Sequence, residues 1–282
     1  MRAFRRIARK VAVALVLGWL VALGSAGCIR ALGQDLEQAE PAQSNVDAGQ
    51  GERAERWRVE VLQVLPHDRT AFTQGLVWQD GALYESTGLR GRSELRRVDR
   101  ASGQVQQRVA LEPNFFGEGL ALVDDRLIML TWQEHVARVF DRSFQVVGEF
   151  SYPTEGWGLC YDGSRLVMSD GSSTLYFRDP TTFDVLGSVL VTLDGQPTEM
   201  LNELECVGDW VYANVWQTDT IVRIDPATGQ VHAVIDASGL LAPSERPGTD
   251  VLNGIAYDPD QDVFLITGKL WPHLYEVRFV PA

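Results

Sequence analysis

Five short segments of this chain repeat one pattern, in which a polar or aromatic residue precedes a short apolar strand: Gln74-Gly-Leu-Val-Trp, Glu118-Gly-Leu-Ala-Leu, Trp157-Gly-Leu-Cys-Tyr, Asn202-Glu-Leu-Glu-Cys and Asn253-Gly-Ile-Ala-Tyr. The spacings between the leading residues are 44, 39, 45 and 51 positions. A period of roughly 40–50 residues with several short strands per repeat is typical of a β-propeller. The repeat therefore predicts an all-β fold, a five-bladed β-propeller.

A complete repeat divides into four strands. The second repeat predicts strands at 119–123, 126–131, 136–141 and 146–150, and the fourth at 204–207, 211–214, 221–225 and 231–236. Turn-forming sequences such as Asp99-Arg-Ala-Ser-Gly and Asp225-Pro-Ala-Thr-Gly separate them, since Asp bonds to the backbone locally and glycine accepts positive φ. Little helical periodicity is present, which argues against an α/β fold.

The two ends of the domain predict how the ring closes. The fifth repeat has only three strands, near 254–257, 263–267 and 274–279. The alternating segment 57–65 precedes the first repeat and is expected to supply the missing outer strand, which would cover an exposed edge. The alternative is an open sandwich with a free N-terminal strand.

Residues 1–27 have the composition of an export signal. A basic start is followed by an apolar stretch at 11–23 and by the small-residue run Gly24-Ser-Ala-Gly-Cys28. The run resembles a bacterial lipoprotein signal, with Ser25 where leucine is usual, and predicts lipidation of Cys28. Ordinary cleavage and a retained anchor are the alternatives. We expect an exported protein, periplasmic or tethered to the envelope, whose only membrane contact is this N-terminus.

Residues 28–56 are polar and small, and they predict a flexible linker ahead of a propeller domain at 57–282. The whole chain carries a formal charge of −13, and removal of the signal leaves −18. An acidic domain repels phosphates, so nucleic acid is not expected as a partner. We expect a monomer.

The cysteines and histidines predict neither a disulfide nor a metal site. Cys160 lies three residues after Trp157 and Cys206 lies four after Asn202, an offset that points their side chains to opposite strand faces. Two separate buried thiols are therefore expected. The four histidines are scattered, each expected at the surface or in a turn, and no metal or other cofactor is expected.

Two sets of equivalent positions are expected to meet at one mouth of the channel. The leading residues form the first set, and the ends of the next strands, near Trp132, Asp170, Trp216 and Lys269, form the second. Antiparallel pairing returns these ends to the same side. Phe72 and Phe116 precede two of the leading residues. Ionised groups near an axis are costly unless paired or used, which makes Glu118 and Lys269 the candidates for chemistry.

At these positions the chain resembles the glutamine cyclotransferase family. The matching segments run in order along the chain and are Phe72-Thr-Gln-Gly-Leu, Tyr84-Glu-Ser-Thr-Gly-Leu, Phe116-Gly-Glu-Gly-Leu, Leu130-Thr-Trp, Glu155-Gly-Trp-Gly-Leu, Ser169-Asp-Gly-Ser, Leu201-Asn-Glu-Leu-Glu, Tyr212-Ala-Asn-Val-Trp, Leu252-Asn-Gly-Ile-Ala-Tyr and Thr267-Gly-Lys-Leu-Trp-Pro. The resemblance implies a five-bladed propeller that converts N-terminal glutamine of peptides or proteins to pyroglutamate, releases ammonia and needs no catalytic metal.

The resemblance also assigns roles to particular residues. Glu118 matches the catalytic glutamate of the family, which would carry the proton from the α-amine to the leaving nitrogen. The pocket residues that it implies are Phe72, Gln74, Phe116, Trp132, Trp157, Asn202, Trp216 and Lys269. Arg90 is a departure, since a tyrosine is expected there.

Two other functions fit parts of the pattern. A non-enzymatic propeller that binds peptides at the envelope would need no particular carboxylate in the channel. A calcium-dependent, lactonase-like propeller would need an axial set such as Glu118, Asn202 and Asn253, which the lysine and the tryptophans fit badly.

Overall fold

The computed structural model describes residues 53–282, and these residues form strands and turns with no helix. The strands are β1 (Glu55–Pro66), β2 (Thr73–Gln79), β3 (Ala82–Thr87), β4 (Glu94–Val98), β5 (Val105–Ala110), β6 (Gly117–Val123), β7 (Arg126–Thr131), β8 (Val136–Asp141), β9 (Val146–Ser151), β10 (Leu159–Tyr161), β11 (Leu166–Met168), β12 (Thr174–Arg178), β13 (Val185–Leu190), β14 (Thr192–Leu193), β15 (Gln196–Pro197), β16 (Leu201–Val207), β17 (Trp210–Val215), β18 (Thr220–Ile224), β19 (Val231–Asp236), β20 (Leu252–Asp258), β21 (Val263–Gly268) and β22 (His273–Pro281). The prediction of an all-β fold is confirmed. Residues 1–27, where an export signal is expected, and all but the last four residues of the expected linker lie outside the described part.

The strands form antiparallel runs that follow the sequence repeat. Three sheets have the orders β2-β3-β4-β5, β6-β7-β8-β9 and β10-β11-β12-β13, and β14 and β15 form a small hairpin. The largest sheet has the order β16-β17-β18-β19-β1-β22-β21-β20. It contains two runs, β16 to β19 and β20 to β22, joined through β1.

The N-terminal strand lies between the last strand and an outer strand of the fourth run. β1 pairs antiparallel with β22 from Trp57, opposite Pro281, to Pro66, opposite His273. It also pairs in parallel with β19 through its first four residues. β1 begins two residues before the segment that the alternation predicts, because Glu55 and Arg56 take part in this second pairing.

Apolar side chains fill the spaces between successive runs. Each of the five core clusters draws buried residues from two neighbouring runs, and one cluster joins β20–β22 to β2–β5. The first strands contact one another in the closed order β2, β6, β10, β16, β20 and again β2. Runs therefore pack face to face, with their first strands innermost.

The turns form as their sequences predict. Asp99 Oδ1 accepts hydrogen bonds from the Ser102 N–H at 2.8 Å and its hydroxyl at 2.7 Å. Gly103 closes this turn with a φ of 68°. The equivalent turn at Asp225 bonds the Ala227 N–H at 2.8 Å and ends at Gly229, with a φ of 74°. These local bonds fix the short connections that let successive strands pair.

The prediction of two separate thiols is wrong, because Cys160 and Cys206 form a disulfide with a Cα–Cα distance of 5.5 Å. Cys160 lies on β10 and Cys206 on β16, the first strands of neighbouring runs. Neighbouring runs present opposite faces of their sheets to each other. Two cysteines on neighbouring runs can meet only if they point to opposite faces of their own sheets. The one-residue offset between Cys160 and Cys206 has this effect, so it favours the bridge.

Candidate active site

A local irregularity turns the leading residues of the repeat toward the centre. Four of the five first strands shift register at this position. The register shifts between Thr73 and Gly75 in β2, between Gly117 and Leu120 in β6, between Leu201 and Leu204 in β16, and between Leu252 and Ile255 in β20. Such a bulge leaves a residue outside the ladder and re-aims its side chain. The leading side chains therefore leave the alternating pattern of their strands and become available to a shared cavity.

The carboxylate of Glu203 satisfies backbone groups beside these bulges. Its Oε2 accepts the Ile255 N–H at 2.8 Å, and its Oε1 accepts the Leu76 N–H at 3.1 Å. Glu203 lies on β16, whereas its partners lie on β20 and β2. Burial, only partly offset by these N–H groups, raises the pKa of Glu203 well above its ordinary value. The Glu203 side chain therefore links three of the innermost strands, β16, β20 and β2.

The structure brings all nine sequence-predicted site residues to one cavity of about 280 Å³. The tenth lining residue, Asp250, was not predicted. The lining consists of Phe72, Gln74, Phe116, Glu118, Trp132, Trp157, Asn202, Trp216, Asp250 and Lys269. Asn253, the fifth leading residue, is buried behind the lining. Each of the five runs, or a connection next to it, therefore contributes at least one residue to the lining.

Aromatic side chains form the walls in edge-to-face pairs. Phe116 lies between Phe72 and Trp132, with ring centroids 6.0 Å and 5.6 Å away. On the other side, the Trp157 and Trp216 rings meet at 5.5 Å with planes 83° apart. This geometry is favourable for aromatic pairs and fixes ring orientation. The cavity is therefore narrow and mostly apolar, suited to a compact side chain.

Glu118 and Lys269 are the buried ionisable groups of the cavity, 5% and 4% exposed. Burial raises the pKa of Glu118 well above its ordinary value, although Lys269 opposes the shift, and Glu155 and Glu134 add to it. Burial also lowers the pKa of Lys269, opposed by Glu118 and Asp250. The Lys269 Nζ lies 5.0 Å from the centre of the Phe72 ring. The two groups share one desolvated space, in which the raised pKa suits Glu118 to exchange a proton with a substrate.

Glu155 holds two of the tryptophans from outside the cavity. Its Oε2 accepts the indole N–H of Trp132 at 2.7 Å and of Trp157 at 3.0 Å, and its Oε1 accepts the Gln133 amide at 2.9 Å. Burial opposes ionisation of Glu155, but these donors outweigh it and lower its pKa. The indole N–H of Trp216 has no protein partner among residues 53–282 and is free to meet a ligand.

The amide side chains of the cavity are partly unpaired. The Asn253 Nδ2 donates to the Thr73 carbonyl at 3.0 Å and to the Gln74 Oε1 at 3.1 Å. The Gln74 amino group has no hydrogen-bond partner among residues 53–282 and can donate to a ligand. The Asn202 Oδ1 is buried and has no hydrogen-bond partner in the described part of the chain. Buried polar atoms without partners are rare and point to a ligand that satisfies them.

Arg90, the departure from the family pattern, lies over the aromatic wall at the rim. Its guanidinium is 5.6 Å from the Trp132 ring centre and 6.0 Å from that of Phe116. It pairs with Glu134 at 2.6 Å, and the other oxygen of Glu134 accepts the Phe116 N–H at 3.2 Å. Arg90 therefore packs against the aromatic wall of the cavity, at a position where a tyrosine is expected.

Three features were missed by sequence reasoning. Asp250 lies in the long connection between β19 and β20, which has no counterpart in the other repeats. Glu155 belongs to a matching segment, but its contacts with two indoles depend on tertiary structure. The bulges had a signal in the glycines that neighbour Gln74, Glu118 and Asn253.

Two negative findings concern residues 53–282. Their His, Cys, Asp and Glu side chains form no group of three or more that could hold a metal ion. They also include no helix of the length and apolarity needed to cross a membrane.

A buried carboxyl group beside a lysine, inside an aromatic pocket of an all-β protein, defines an enzyme-like site for a small polar group. The family model for glutamine cyclotransferase matches residues 32–279. The chain belongs to the glutamine cyclotransferase family.

Two relatives show how far this likeness extends. The glutaminyl-peptide cyclotransferase of Arabidopsis thaliana is 43% identical over 231 residues, which cover 79% of this chain and 72% of the plant protein. The crystal structure of the glutaminyl cyclase of Myxococcus xanthus superposes with a TM-score of 0.74 at 41% identity, and the match covers 82% of this chain and 100% of the other.

Proposed function

We propose that this protein is a glutaminyl-peptide cyclotransferase, which converts the N-terminal glutamine of peptides or proteins to pyroglutamate and releases ammonia. The observation that carries the proposal is the buried Glu118, whose pKa is raised well above its ordinary value inside a cavity sized for one side chain. Family membership gives the reaction, and the cavity provides groups that suit each of its steps.

Glu118 carries the proton between the two nitrogens of the substrate. The α-amine attacks the carbon of its own side-chain amide, so that one C–N bond forms and a five-membered ring closes. The ionised carboxylate of Glu118 accepts the proton that the amine loses, and the same group then protonates the departing nitrogen, which leaves as ammonia when the second C–N bond breaks. A carboxyl group with a raised pKa is closer in proton affinity to an amine, which suits both transfers.

The oxyanion that develops on the amide carbon needs hydrogen-bond donors nearby. The indoles of Trp132 and Trp157 already donate to Glu155, so they are not available. The donors that remain in the cavity are Lys269, the amide groups of Gln74 and Asn202, and the indole N–H of Trp216, which has no partner among residues 53–282.

The aromatic walls orient the substrate and exclude water. Phe72, Phe116 and the tryptophans hold the glutamine side chain in a folded conformer, in which the amine approaches the amide carbon. Exclusion of water prevents hydrolysis of the amide, which would otherwise compete with ring closure. The free amino group of Gln74 and the unpaired oxygen of Asn202 are placed to bind the polar ends of the substrate.

The reaction proceeds without a catalytic metal, because the protein groups supply both proton transfer and oxyanion stabilisation. Activity that persists after treatment with EDTA is expected. A strict requirement for calcium would favour the lactonase-like alternative.

We also propose that the five runs are the blades of a propeller, with residues 57–282 as the catalytic domain. The closed order of contacts among the first strands supports five blades. The pairing of β1 with β22 supports closure by the N-terminal strand, which completes the last blade. We propose a monomer that binds no nucleic acid.

We propose that the protein is exported and held at the envelope by a lipid on Cys28. The disulfide between Cys160 and Cys206 supports export, because disulfides persist mainly in oxidising compartments. Replacement of Cys28 by serine is expected to release the protein from the membrane fraction. Release of the unaltered protein under the same conditions would contradict the lipid anchor.

One assay tests the enzymatic function. A peptide that begins with glutamine, incubated with the purified protein, is expected to lose the mass of one ammonia molecule, as measured by mass spectrometry. The same peptide with an acetylated N-terminus lacks the nucleophile and is the matched control. No mass loss from the free peptide would overturn the proposal and leave a binding function.

A further inference from the structure

A buried charged network lies directly behind the cavity without lining it. Its centre is the pair of His67 and Glu85, with the His67 Nε2 3.0 Å from the Glu85 Oε1 and side chains 3% and 2% exposed. The expectation that every histidine lies at the surface or in a turn is therefore wrong for the His67 side chain. His67 follows β1, and Glu85 lies on β3.

The partners of His67 fix its protonation state. Its Nδ1 lies 2.9 Å from the Trp271 carbonyl, and its Nε2 faces the carboxylate of Glu85. A carbonyl oxygen and an ionised carboxylate can only accept, so both ring nitrogens donate. His67 is an imidazolium ion in this arrangement. Burial disfavours that charge, but Glu85 beside it outweighs burial and raises the pKa of His67.

Other charged and polar groups surround the pair on every side. Arg96 on β4 approaches Glu85 at 3.8 Å and bonds to Asp68 and Glu94 at 2.9 Å each. The Thr267 hydroxyl on β21 lies 3.4 Å from the His67 Nδ1. With Glu85 and Asp68 facing it, the imidazolium is favoured over neutral histidine. Burial opposes ionisation of Glu85, yet His67 and Arg96 lower its pKa.

The network extends along two paths of hydrogen bonds, called arms here. The first arm reaches the turn that carries Lys269. His67 donates to the carbonyl of Trp271, two residues beyond Lys269. The Leu270 N–H donates to the Ala71 carbonyl at 2.7 Å. The Trp271 indole donates to the Asp250 carbonyl at 2.8 Å. The backbone of this turn is thus fixed from the chain segment that contains His67 and Ala71.

The second arm, the other hydrogen-bond path from the pair, reaches the start of β2, which carries Gln74. The Thr73 hydroxyl donates to the Glu85 Oε1 at 2.7 Å. Thr73 precedes Gln74, and its carbonyl accepts from the Asn253 amide that also holds Gln74. One carboxylate oxygen therefore receives a hydrogen bond from His67 and another from the residue next to Gln74.

We propose that His67 and Glu85 form a positioning pair for the cyclisation, which sets the position of Lys269 relative to Gln74 in the cavity. This inference rests on the proposed function. The pair touches no substrate atom, and it acts by holding the two backbone segments from which these side chains project. A shift of about 1 Å in such a frame costs on the order of a hundredfold in rate.

The pair also predicts a pH response. His67 is protonated below its raised pKa, so, while Glu85 stays ionised, both hydrogen bonds of His67 are present below that pKa and one is lost as pH rises through it. Neutral His67 then presents a lone pair to either the carbonyl or the carboxylate, and one of the two bonds breaks. An alkaline decline in kcat is expected from this source.

Three variants test the inference with a peptide that begins with glutamine. His67→Leu and Thr73→Val remove one arm each, and each is expected to lower kcat by about ten- to a hundredfold. Glu85→Gln can place either its oxygen or its amino group where Oε1 meets both His67 and Thr73, so it serves one of the two at most and is also expected to lower kcat at neutral pH. Because loss of the Glu85 charge removes the main cause that raises the pKa of His67, the alkaline decline of this variant is expected to move to lower pH.

A matched control separates positioning from stability. Arg100→Met breaks another buried cluster, with Asp258 and Glu276, that does not line the cavity. It is expected to lower the melting temperature and leave kcat unchanged. Wild-type kcat in both His67→Leu and Thr73→Val, or an alkaline decline in Glu85→Gln equal to that of wild type, would overturn the inference. Inactivity of the wild-type protein would instead overturn the proposed function.

Discussion

Glu118 is the residue on which the proposed reaction depends, and burial decides its properties. Its carboxyl group is desolvated, and Lys269 compensates only in part, so its pKa stays raised. We expect Glu118→Gln to lower kcat by about 10²–10⁴, as for loss of a general acid–base. Rates from a peptide that begins with glutamine provide the measurement. Turnover near the wild-type rate would remove Glu118 from its role.

The same pKa predicts that this variant remains folded. A carboxyl group whose pKa is raised on folding binds protons more tightly in the native state, so its contribution to stability is lost as pH rises through the folded pKa. At neutral pH Glu118 therefore costs stability, and Glu118→Gln removes that cost. The melting temperature of the variant should be no lower than that of wild type at pH 7. A large decrease in its melting temperature would mean that unfolding causes the loss of activity.

Glu155 offers a finer test, because it acts on Glu118 through charge. Its carboxylate raises the pKa of Glu118 and accepts both indole N–H groups. Glu155→Gln removes the charge and keeps an acceptor oxygen. We expect the acid limb of the kcat/KM profile, where Glu118 becomes protonated, to move to lower pH. Gln133→Leu, which removes only a neutral donor to Glu155, serves as control, and an unmoved limb in Glu155→Gln would contradict the coupling.

Residue identities at the site were predictable because the repeat places equivalent positions at one mouth. Nine predicted residues line one cavity on this basis. Asp250 could not be found this way, since its connection belongs to a single repeat. Glu85 and His67 are separated by 18 positions and meet only in the folded chain. Their pairing depends on how β1 and β3 pack, which no local pattern encodes.

At the level of strands, glycines allow neighbouring first strands to approach closely. A Cβ atom at Gly158 would lie 2.0 Å from the Asn202 carbonyl oxygen. The atom in the way belongs to the backbone of Asn202, so it cannot move aside as a flexible side chain would. Asn202 also lines the cavity. Gly158→Ala is therefore expected to cost about 1–3 kcal/mol of stability and to displace Asn202, with a loss of activity. Urea unfolding and peptide turnover measure both effects.

Gly148→Ala is the matched control for this prediction. Gly148 lies on the outer strand β9, where an added Cβ would meet Val139 at an ordinary 3.9 Å. The change should alter stability by less than about 0.5 kcal/mol, as for other surface substitutions. Equal effects of the two substitutions would show that close approach at Gly158 is unimportant.

Strand positions were largely predictable, whereas the strand bulges had only an indirect signal in the glycines beside Gln74, Glu118 and Asn253. β7, β8 and β19 have the predicted bounds, because apolar alternation and turn residues define them. The bulges in β2, β6, β16 and β20 depend on how the first strands meet at the centre. The cysteine prediction failed for a related reason, since the facing surfaces of two runs become known only when the runs are placed side by side.

For the whole molecule, the disulfide joins the third and fourth runs across a sequence separation of 46 residues. A cross-link of this kind restricts the unfolded chain and typically contributes about 2–4 kcal/mol. We expect the double variant Cys160→Ala/Cys206→Ala to unfold at lower urea concentration by a corresponding amount. Treatment of wild type with dithiothreitol should have a similar effect. Identical unfolding midpoints with and without reductant would contradict a formed bridge.

The pairing of β1 with β22 has a consequence for the order of assembly. During synthesis the ribosome delivers β22 only after every other described strand, so β1 has no antiparallel partner until the final segment emerges. Early folding must then proceed with an unsatisfied edge on one of the first strands made. The nine-residue strand β22 therefore covers the edge of β1 only at the end of synthesis. A nascent chain that stalls before β22 would present that edge to chaperones or proteases.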